Sequence, residues 1–191
     1  MTPTEIVLLV AGVLDELGAP YVLVGSLASS AHGIPRSTND ADLVVQLEPR
    51  HVPALVARLS VSFYLDQAAA DRAIASGRSF NAIHLDTGFK VDMFVPAAGA
   101  FGHQQLARRV REAADPQVPE RTLCVATAED VLLAKLLWYR SGGMISDRQW
   151  QDVVGLIRVQ GPSLDVGYLQ TWARQLGVDD LLRQALAEGR A

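Results

Sequence analysis

Short apolar runs, each closed by turn residues, mark the strands of the first two thirds of the chain. The run Tyr21–Val24 is β-branched and aromatic, which predicts a buried strand. Asp86-Thr87-Gly88 lies between two further runs and is typical of a hairpin turn. The other strands are expected at 41–47, 79–85, 89–95 and 121–125.

Helical spacing of apolar residues fills most of the remaining chain, and beyond residue 127 it is the dominant pattern. Helices are predicted at 4–17, 27–32, 51–59, 101–114, 127–140, 147–159, 165–176 and 178–188. Thr4 and Thr127 are expected to cap two of them, and Gly18 to end the first. The segment 61–77 fits a short strand followed by a helix or a loop.

These elements predict an α/β (α+β) fold with two parts. Residues 1–126 are expected to form a mixed β-sheet core flanked by helices, and residues 127–191 a small helical module. With 191 residues the chain is long enough to bury a core without disulfides. The single cysteine, Cys124, cannot form an internal disulfide, which excludes the secreted disulfide-framework class.

The net charge and the length of the apolar runs limit the kinds of binding partner that the sequence predicts. A formal net charge of −4 argues against a nucleic-acid binder that relies on bulk positive charge. Arg108, Arg109 and Arg111 are the best local basic cluster, which fits either a solvated helix face or an anionic partner. The longest early apolar run, 6–14, is shorter than the ~20 residues that span a bilayer. We therefore expect a cytoplasmic protein without membrane partners.

Three aspartates stand in or beside predicted strands, where this residue type is disfavoured. Asp40 and Asp42 alternate at the start of the second strand, so their side chains share one face. Asp92 lies between Val91 and Met93 in a later apolar strand. Like charges side by side need compensation, and carboxylate oxygens suit Mg²⁺. The pattern predicts a metal site formed by the three carboxylates.

A second feature is the abrupt end of the first strand at Gly25-Ser26. The following helix would present free backbone N–H groups, which favour phosphate binding. Glycine permits close approach of the backbone, and the serine hydroxyl adds a hydrogen bond. Together with the three acids, this feature favours metal-assisted phosphoryl or nucleotidyl transfer.

These residues resemble a known family over nearly the whole chain. Val24-Gly25-Ser26, followed after thirteen residues by Asp40-Ala41-Asp42-Leu43, resembles the hG[GS]…DhDh signature of the DNA polymerase β-like nucleotidyltransferase superfamily. The segment 36–42 resembles the R-x-T-x-D-x-D form found in minimal nucleotidyltransferases and in AbiEii-type toxins. Asp92 falls where the family keeps its third carboxylate. The helical part, with Glu129, Asp130, Lys135, Arg140 and the segment 146–152, is also similar.

The resemblance implies transfer of a nucleotide from a nucleoside triphosphate to a hydroxyl of a protein, an RNA or a small molecule, with Mg²⁺ or Mn²⁺. Asp40 and Asp42 would hold two metal ions, and Asp92 would ligate the second and help to activate the acceptor hydroxyl. An antitoxin partner is implied if the protein is a toxin.

The resemblance also implies a phosphate site. Gly25 and Ser26 would hold the β- and γ-phosphates, assisted by Arg36 and Thr38. Lys135 would reach the nucleotide phosphates from the helical module. Either Asp147 or Asp152 would orient Lys135 or the acceptor, and the sequence leaves that choice open.

Structural interpretations stand beside these roles. Asp40 could cap a turn, and Gly25-Ser26 could be an ordinary strand-to-helix turn. Arg36 could be a solvated charge, and Lys135 a helix residue that extends to solvent. Lys90 shares a strand face with Asp92 and could be its ion-pair partner. The alternative function is a catalytically inactive module that keeps the fold and binds a nucleotide or a partner.

Overall fold

The computed structural model describes residues 1–97, 99–115 and 117–189. The helices are α1 (Pro3–Glu16), α2 (Gly25–His32), α3 (Val52–Leu59), α4 (Gln67–Ser76), α5 (Phe101–Arg108), α6 (Ala128–Ser141), α7 (Asp147–Gln160), α8 (Val166–Leu176) and α9 (Asp179–Gly189). The strands are β1 (Tyr21–Val24), β2 (Asp40–Val45), β3 (Phe63–Leu65), β4 (Ser79–His84), β5 (Lys90–Phe94), β6 (Val110–Ala113) and β7 (Thr122–Val125). These elements confirm the predicted α/β class with a mixed sheet.

The described residues divide into two compact units. The first comprises residues 1–24 and 37–126, and the second comprises residues 25–36 together with the segment from 127 onward. The predicted modules, 1–126 and 127–191, stay a prediction about domains; the observed units differ from them in the placement of residues 25–36.

The first unit contains a single sheet, in the order β3-β4-β5-β2-β1-β7-β6 across the described strands. β2 runs antiparallel to β1 and parallel to β5, and β4 runs antiparallel to β5. Helices α1, α3 and α4 pack along the buried face of the sheet, where alternate residues such as Leu43, Val91 and Met93 are fully buried. The polar residues of the same strands therefore point to the opposite face.

The opposite face of the sheet is only partly covered within this unit. Helix α5 packs on β1 and β2, and a Cβ at Gly102 would lie 3.1 Å from a Val44 methyl group, so glycine allows close packing. Ser79 and Asn81 of β4 remain exposed, whereas Phe80 and Ala82 are buried beneath α4. The open part of the face therefore includes the exposed residues of β4.

Two local predictions were wrong. Thr2, rather than Thr4, caps α1, because its side chain accepts the Glu5 N–H while the Glu5 side chain accepts the Thr2 N–H. The predicted helix 101–114 ends at Arg108, because Arg109 is extended and Val110–Ala113 pairs with β7 as an edge strand. An exposed edge strand lacks the apolar alternation that predicts a strand.

The second unit is a cluster of helices around aliphatic side chains. Helix α2 packs on α6 and α7, and α9 packs on α7 and α8. A Cβ at Gly33 would lie 3.3 Å from the backbone of Leu156, so glycine allows the end of α2 to approach α7 closely. Fully buried residues of this unit include Leu132, Leu133, Leu136, Leu156, Ile157 and Leu169. No helix among the described residues is both long and apolar enough to cross a membrane.

Candidate active site

Strand pairing places three of the predicted site residues on one face of the sheet in the first unit. Asp42 of β2 lies directly opposite Asp92 of β5, and Asp40 lies opposite Lys90. Since paired positions and alternate residues of a strand point to the same side, the three carboxylates and the Lys90 ammonium share that face. The intervening Ala41 is buried on the other side.

Lys90 is the counter-ion of this acidic group. Its ammonium lies 2.7 Å from a carboxylate oxygen of Asp92. The hydrogen bond to Asp92 and the negative charges of Asp92, Asp40 and Asp42 raise the pKa of Lys90. The interpretation of Lys90 as the ion-pair partner of Asp92 is therefore confirmed. The pair leaves Asp92 half-buried with its charge neutralised.

Thr38 orients Asp40. The Thr38 hydroxyl donates a hydrogen bond of 2.7 Å to the Asp40 carboxylate. Asp40 is the first residue of β2, so the interpretation of Asp40 as a turn cap does not describe its position in the structure. The contact of Thr38 in the structure is thus with a proposed metal ligand.

Asp40, Asp42 and Asp92 make this face of the sheet acidic and provide hard oxygen donors, but they do not form a complete metal site. Within the described ranges, no three or more His, Cys, Asp and Glu side chains are arranged to hold a metal ion. The chemistry of the donors fits a divalent cation, because Asp42 and Asp92 are directly paired and Asp40 lies two positions along the same face. In this arrangement Lys90 supplies the positive charge that a cation would supply.

The second unit holds the predicted phosphate site at the start of α2. Gly25 has φ of +66°, a left-handed conformation that favours glycine, and α2 begins there, directly after β1 in the chain. The first-turn N–H groups of a helix have no partners within it and favour anions. The hydroxyl of Ser26 accepts a hydrogen bond of 2.5 Å from the Arg36 guanidinium.

Arg36 is held by an ion pair that the sequence does not indicate. Its Nε lies 3.1 and 3.2 Å from the two oxygens of Asp152, and its Nη2 lies 3.1 Å from one of them. The Arg36 side chain is about one quarter exposed, at 26%. The interpretation of Arg36 as a solvated charge is wrong, because the guanidinium links Ser26 to Asp152.

Lys135 of α6 binds the same carboxylate. Its ammonium lies 2.7 Å from Asp152, and the residue is buried, so it does not extend to solvent as the structural interpretation expected. Burial acts to raise the pKa of Asp152, but the hydrogen bonds and charges of Arg36 and Lys135 outweigh it and lower the pKa overall. Two cations thus share one anion beside the start of α2.

Asp152 rather than Asp147 is the acid that orients Lys135. Asp147 is exposed in the first turn of α7, next to the N-cap Ser146. The sequence left this choice open. The contact of Asp152 with Arg36 had no local signal, because the two residues are 116 positions apart.

Comparison with solved structures shows the fold. The chain matches the structure of ANT(2'')-Ia, solved in complex with adenylyl-2''-tobramycin, with a TM-score of 0.60 at 14% identity, over 92% of this chain and 97% of that one. It matches an antigenic nucleotidyltransferase-like protein from Paracoccidioides brasiliensis with a TM-score of 0.56 at 18% identity, over 97% and 92%. It matches JHP933 from Helicobacter pylori with a TM-score of 0.51 at 13% identity, over 93% and 77%. The chain therefore has the nucleotidyltransferase fold, as the motif resemblance predicted.

Sequence comparisons add no family to this result. No protein-family model and no curated protein matches the chain. The AbiEii-type resemblance rests on the motif alone.

Proposed function

We propose that this protein is a nucleotidyltransferase that moves a nucleotide from a nucleoside triphosphate to a hydroxyl acceptor in a Mg²⁺- or Mn²⁺-dependent reaction. The observation that carries the proposal is the direct pairing of Asp42 with Asp92, with Asp40 on the same face, in a chain with the nucleotidyltransferase fold. Each carboxylate has a strand position that the sheet fixes. A purely structural use of three acids there has no evident advantage, since they repel one another.

The acids of the first unit have two roles in this reaction. Asp40, Asp42 and Asp92 offer oxygen ligands, and the Thr38 hydroxyl fixes the orientation of Asp40. When bound, a divalent cation supplies positive charge that stabilises the charge developing on phosphate oxygens. Asp92 accepts the proton of the acceptor hydroxyl as the acceptor oxygen bonds to the α-phosphorus and the bond to the leaving pyrophosphate breaks.

The second unit supplies the phosphate contacts. The N–H groups at Gly25 and Ser26 bind phosphate oxygens, and Arg36 and Lys135 add positive charge. Asp152 neutralises one of these two charges and holds both side chains in place. The group keeps a net positive charge, which suits a triphosphate.

The identity of the nucleotide donor has more support than the identity of the hydroxyl acceptor. The complex of ANT(2'')-Ia with an adenylylated antibiotic supports a nucleoside triphosphate as the donor here. A protein, an RNA or a small molecule all remain acceptors compatible with the motif. A toxin role with an antitoxin partner rests on the R-x-T-x-D-x-D resemblance.

One observation favours a second candidate, an inactive module that binds a nucleotide. The Lys90–Asp92 ion pair neutralises a proposed metal ligand without any metal. In such a module the pair would be permanent. In an enzyme, Lys90 would have to release Asp92 before that carboxylate could ligate a cation.

Thermal unfolding and pyrophosphate release together distinguish the two candidates. Mg²⁺ with a bound triphosphate should raise the Tm of the wild type, because ligand binding stabilises the native state by about 2.7 kcal/mol at 100 times Kd. Asp42→Asn should remove the part of the shift that depends on metal, whereas Asp86→Asn, at the exposed hairpin turn, should keep it. A wild type that shows the shift but releases no pyrophosphate with any acceptor would support the module and contradict the enzyme.

A further inference from the structure

A row of side chains extends the acidic face outward to the edge of the sheet. Tyr64 of β3 is paired with Ile83 of β4, and Ile83 is paired with Lys90 of β5. In the neighbouring row, Asn81 of β4 is paired with Asp92. Since directly paired residues project on the same side, Tyr64, Asn81 and Ile83 stand on the face that carries the carboxylates. We call these three residues the β3–β4 platform.

The β3–β4 platform is open to solvent. Tyr64 is 60% exposed, Asn81 is exposed, and Ile83 is half-buried. Helix α4 packs on the opposite face of β4, over Phe80 and Ala82. The Tyr64 ring is exposed on a three-residue edge strand, so it is accessible to a ligand on this face.

The distances suit an acceptor beside Asp92. Paired positions on neighbouring strands have Cβ atoms about 4.5–5.5 Å apart, so the Asn81 amide lies within reach of a hydroxyl that hydrogen-bonds to Asp92. Tyr64 is two strands from Lys90, about 9–10 Å away. Asp92 lies two residues along β5 from Lys90, about 6–7 Å, so Tyr64 and Asp92 are about 12 Å apart. A ring-sized molecule fits between them, with one end at Asp92 and the other against the Tyr64 ring.

The charges on the acidic face indicate which chemical class of acceptor fits beside Asp92. The face carries three carboxylates, Asp40, Asp42 and Asp92, against the single ammonium of Lys90 among the paired residues of β2 to β5. That ammonium is already bonded to Asp92. An RNA acceptor would require free cations for its phosphates. Tyr64, Asn81 and Ile83 provide none.

We propose that the β3–β4 platform is the acceptor subsite, and that it takes a phosphate-free, uncharged or cationic ring compound with a hydroxyl group. The proposal rests on the proposed nucleotidyl transfer and specifies its acceptor. Tyr64 packs on the ring, Ile83 contacts its apolar edge, and Asn81 hydrogen-bonds to a substituent next to the reacting hydroxyl. In the transfer, the acceptor O–P bond forms, the bond from the α-phosphorus to pyrophosphate breaks, and the hydroxyl proton passes to Asp92.

The test uses the full chain with a triphosphate labelled at the α-phosphate, Mg²⁺ and three sets of acceptor probes. These are neutral sugars and glycosides, amino sugars, and an RNA oligonucleotide with a free 3′ hydroxyl. The proposal expects label on compounds of the first two sets and none on the RNA. Preferential labelling of RNA would overturn it, and so would a wild type that consumes the triphosphate but labels no phosphate-free compound.

Variants then assign the effect to the platform. Tyr64→Ala and Asn81→Ala should each lower kcat/KM for the acceptor by about tenfold or more, while KM for the triphosphate stays unchanged. Tyr64→Phe should retain most of the activity, and Val61→Ala, at an exposed position outside the strand, should retain all of it. Unchanged acceptor kinetics in both alanine variants would overturn the platform. Failure of the wild type to bind or consume any triphosphate would instead contradict the proposed function.

Discussion

Lys135 and Asp152 form a 2.7 Å ion pair between α6 and α7, with side-chain exposures of only 8% and 10%. Arg36, in the segment after α2, binds the same carboxylate. Asp152 of α7 therefore links this segment to α6 within the second unit. A buried carboxylate between two cations is strongly oriented. The pair therefore fixes both proposed phosphate-binding cations before any nucleotide binds.

Removing the carboxylate should harm stability more than removing one cation. Asp152→Ala leaves Arg36 and Lys135 facing each other without a counter-ion, and we expect a loss of about 3–5 kcal/mol in the free energy of unfolding. Lys135→Met leaves the Arg36–Asp152 pair in place, and we expect about 1–3 kcal/mol. Urea unfolding of both variants measures the order. An equal or reversed order would show that Arg36 does not share the carboxylate.

The lowered pKa of Asp152 sets an acid limit on stability. Because its folded-state pKa lies below the unfolded value of about 3.9, the ionised carboxylate stabilises the protein fully above that value, and the contribution is lost as the pH falls through the folded-state pKa. The Tm of the wild type should therefore drop more steeply below about pH 4 than that of Asp152→Asn. Asp86→Asn, which removes an exposed carboxylate at the hairpin turn, is the matched control. If the Tm of the wild type and that of Asp152→Asn fall equally steeply below about pH 4, the lowered pKa of Asp152 does not limit stability in acid.

Lys90 should compete with a divalent cation for Asp92. Lys90→Met removes the ammonium that is bonded to this carboxylate, so we expect Mn²⁺ to bind about five- to thirtyfold more tightly by calorimetry, as about 1–2 kcal/mol of competing interaction is removed. Arg72→Met, at an exposed position of α4 in the same unit, should not change the affinity. Weaker Mn²⁺ binding in Lys90→Met would show that Lys90 supports the metal site instead.

Gly25 should resist substitution because of its backbone conformation. Gly25→Ala forces an L-residue into a left-handed φ of +66°, and we expect a loss of about 1–2 kcal/mol in unfolding free energy together with weaker triphosphate binding. Gly12→Ala is the control. Gly12 lies in the middle of α1 with nothing near an added Cβ, so alanine there should stabilise by about 0.5–1 kcal/mol. Similar effects at both positions would indicate that Gly25 has no conformational role.

The sequence predicted the elements whose signals are local. Tyr21–Val24 is an unbroken apolar run and forms β1 as expected, and Gly88, with φ of +69°, lies in the predicted hairpin turn. The alternation of Asp40 and Asp42 placed both on one face correctly. Their relation to Asp92 needed the tertiary fold, because only the pairing of β2 with β5 sets Asp42 opposite Asp92.

Other features had weak or misleading signals. Arg111 falls within the predicted helix 101–114, but it lies on β6 and binds Asp15 at 3.1 Å. The assignment of residues 25–36 to the helical unit depends on packing of α2 against α6 and α7 rather than on chain order. The shared pairing of Arg36 and Lys135 with Asp152 depends on the same packing. Contacts between distant segments leave no periodic pattern in the sequence.

The most direct test of the claim that the paired carboxylates carry the reaction is a transfer assay with a nucleoside triphosphate labelled at the α-phosphate. It compares the wild type with Asp42→Asn, Asp92→Asn and Asp86→Asn. The measurement is the rate of label incorporation into acceptor in the presence of Mg²⁺. We predict that the wild type and Asp86→Asn transfer label at equal rates, and that Asp42→Asn and Asp92→Asn, with native Tm values, lose it by a factor of about 100 or more. Transfer by the wild type that persists unchanged in both Asp42→Asn and Asp92→Asn would contradict the claim that the paired carboxylates carry the reaction.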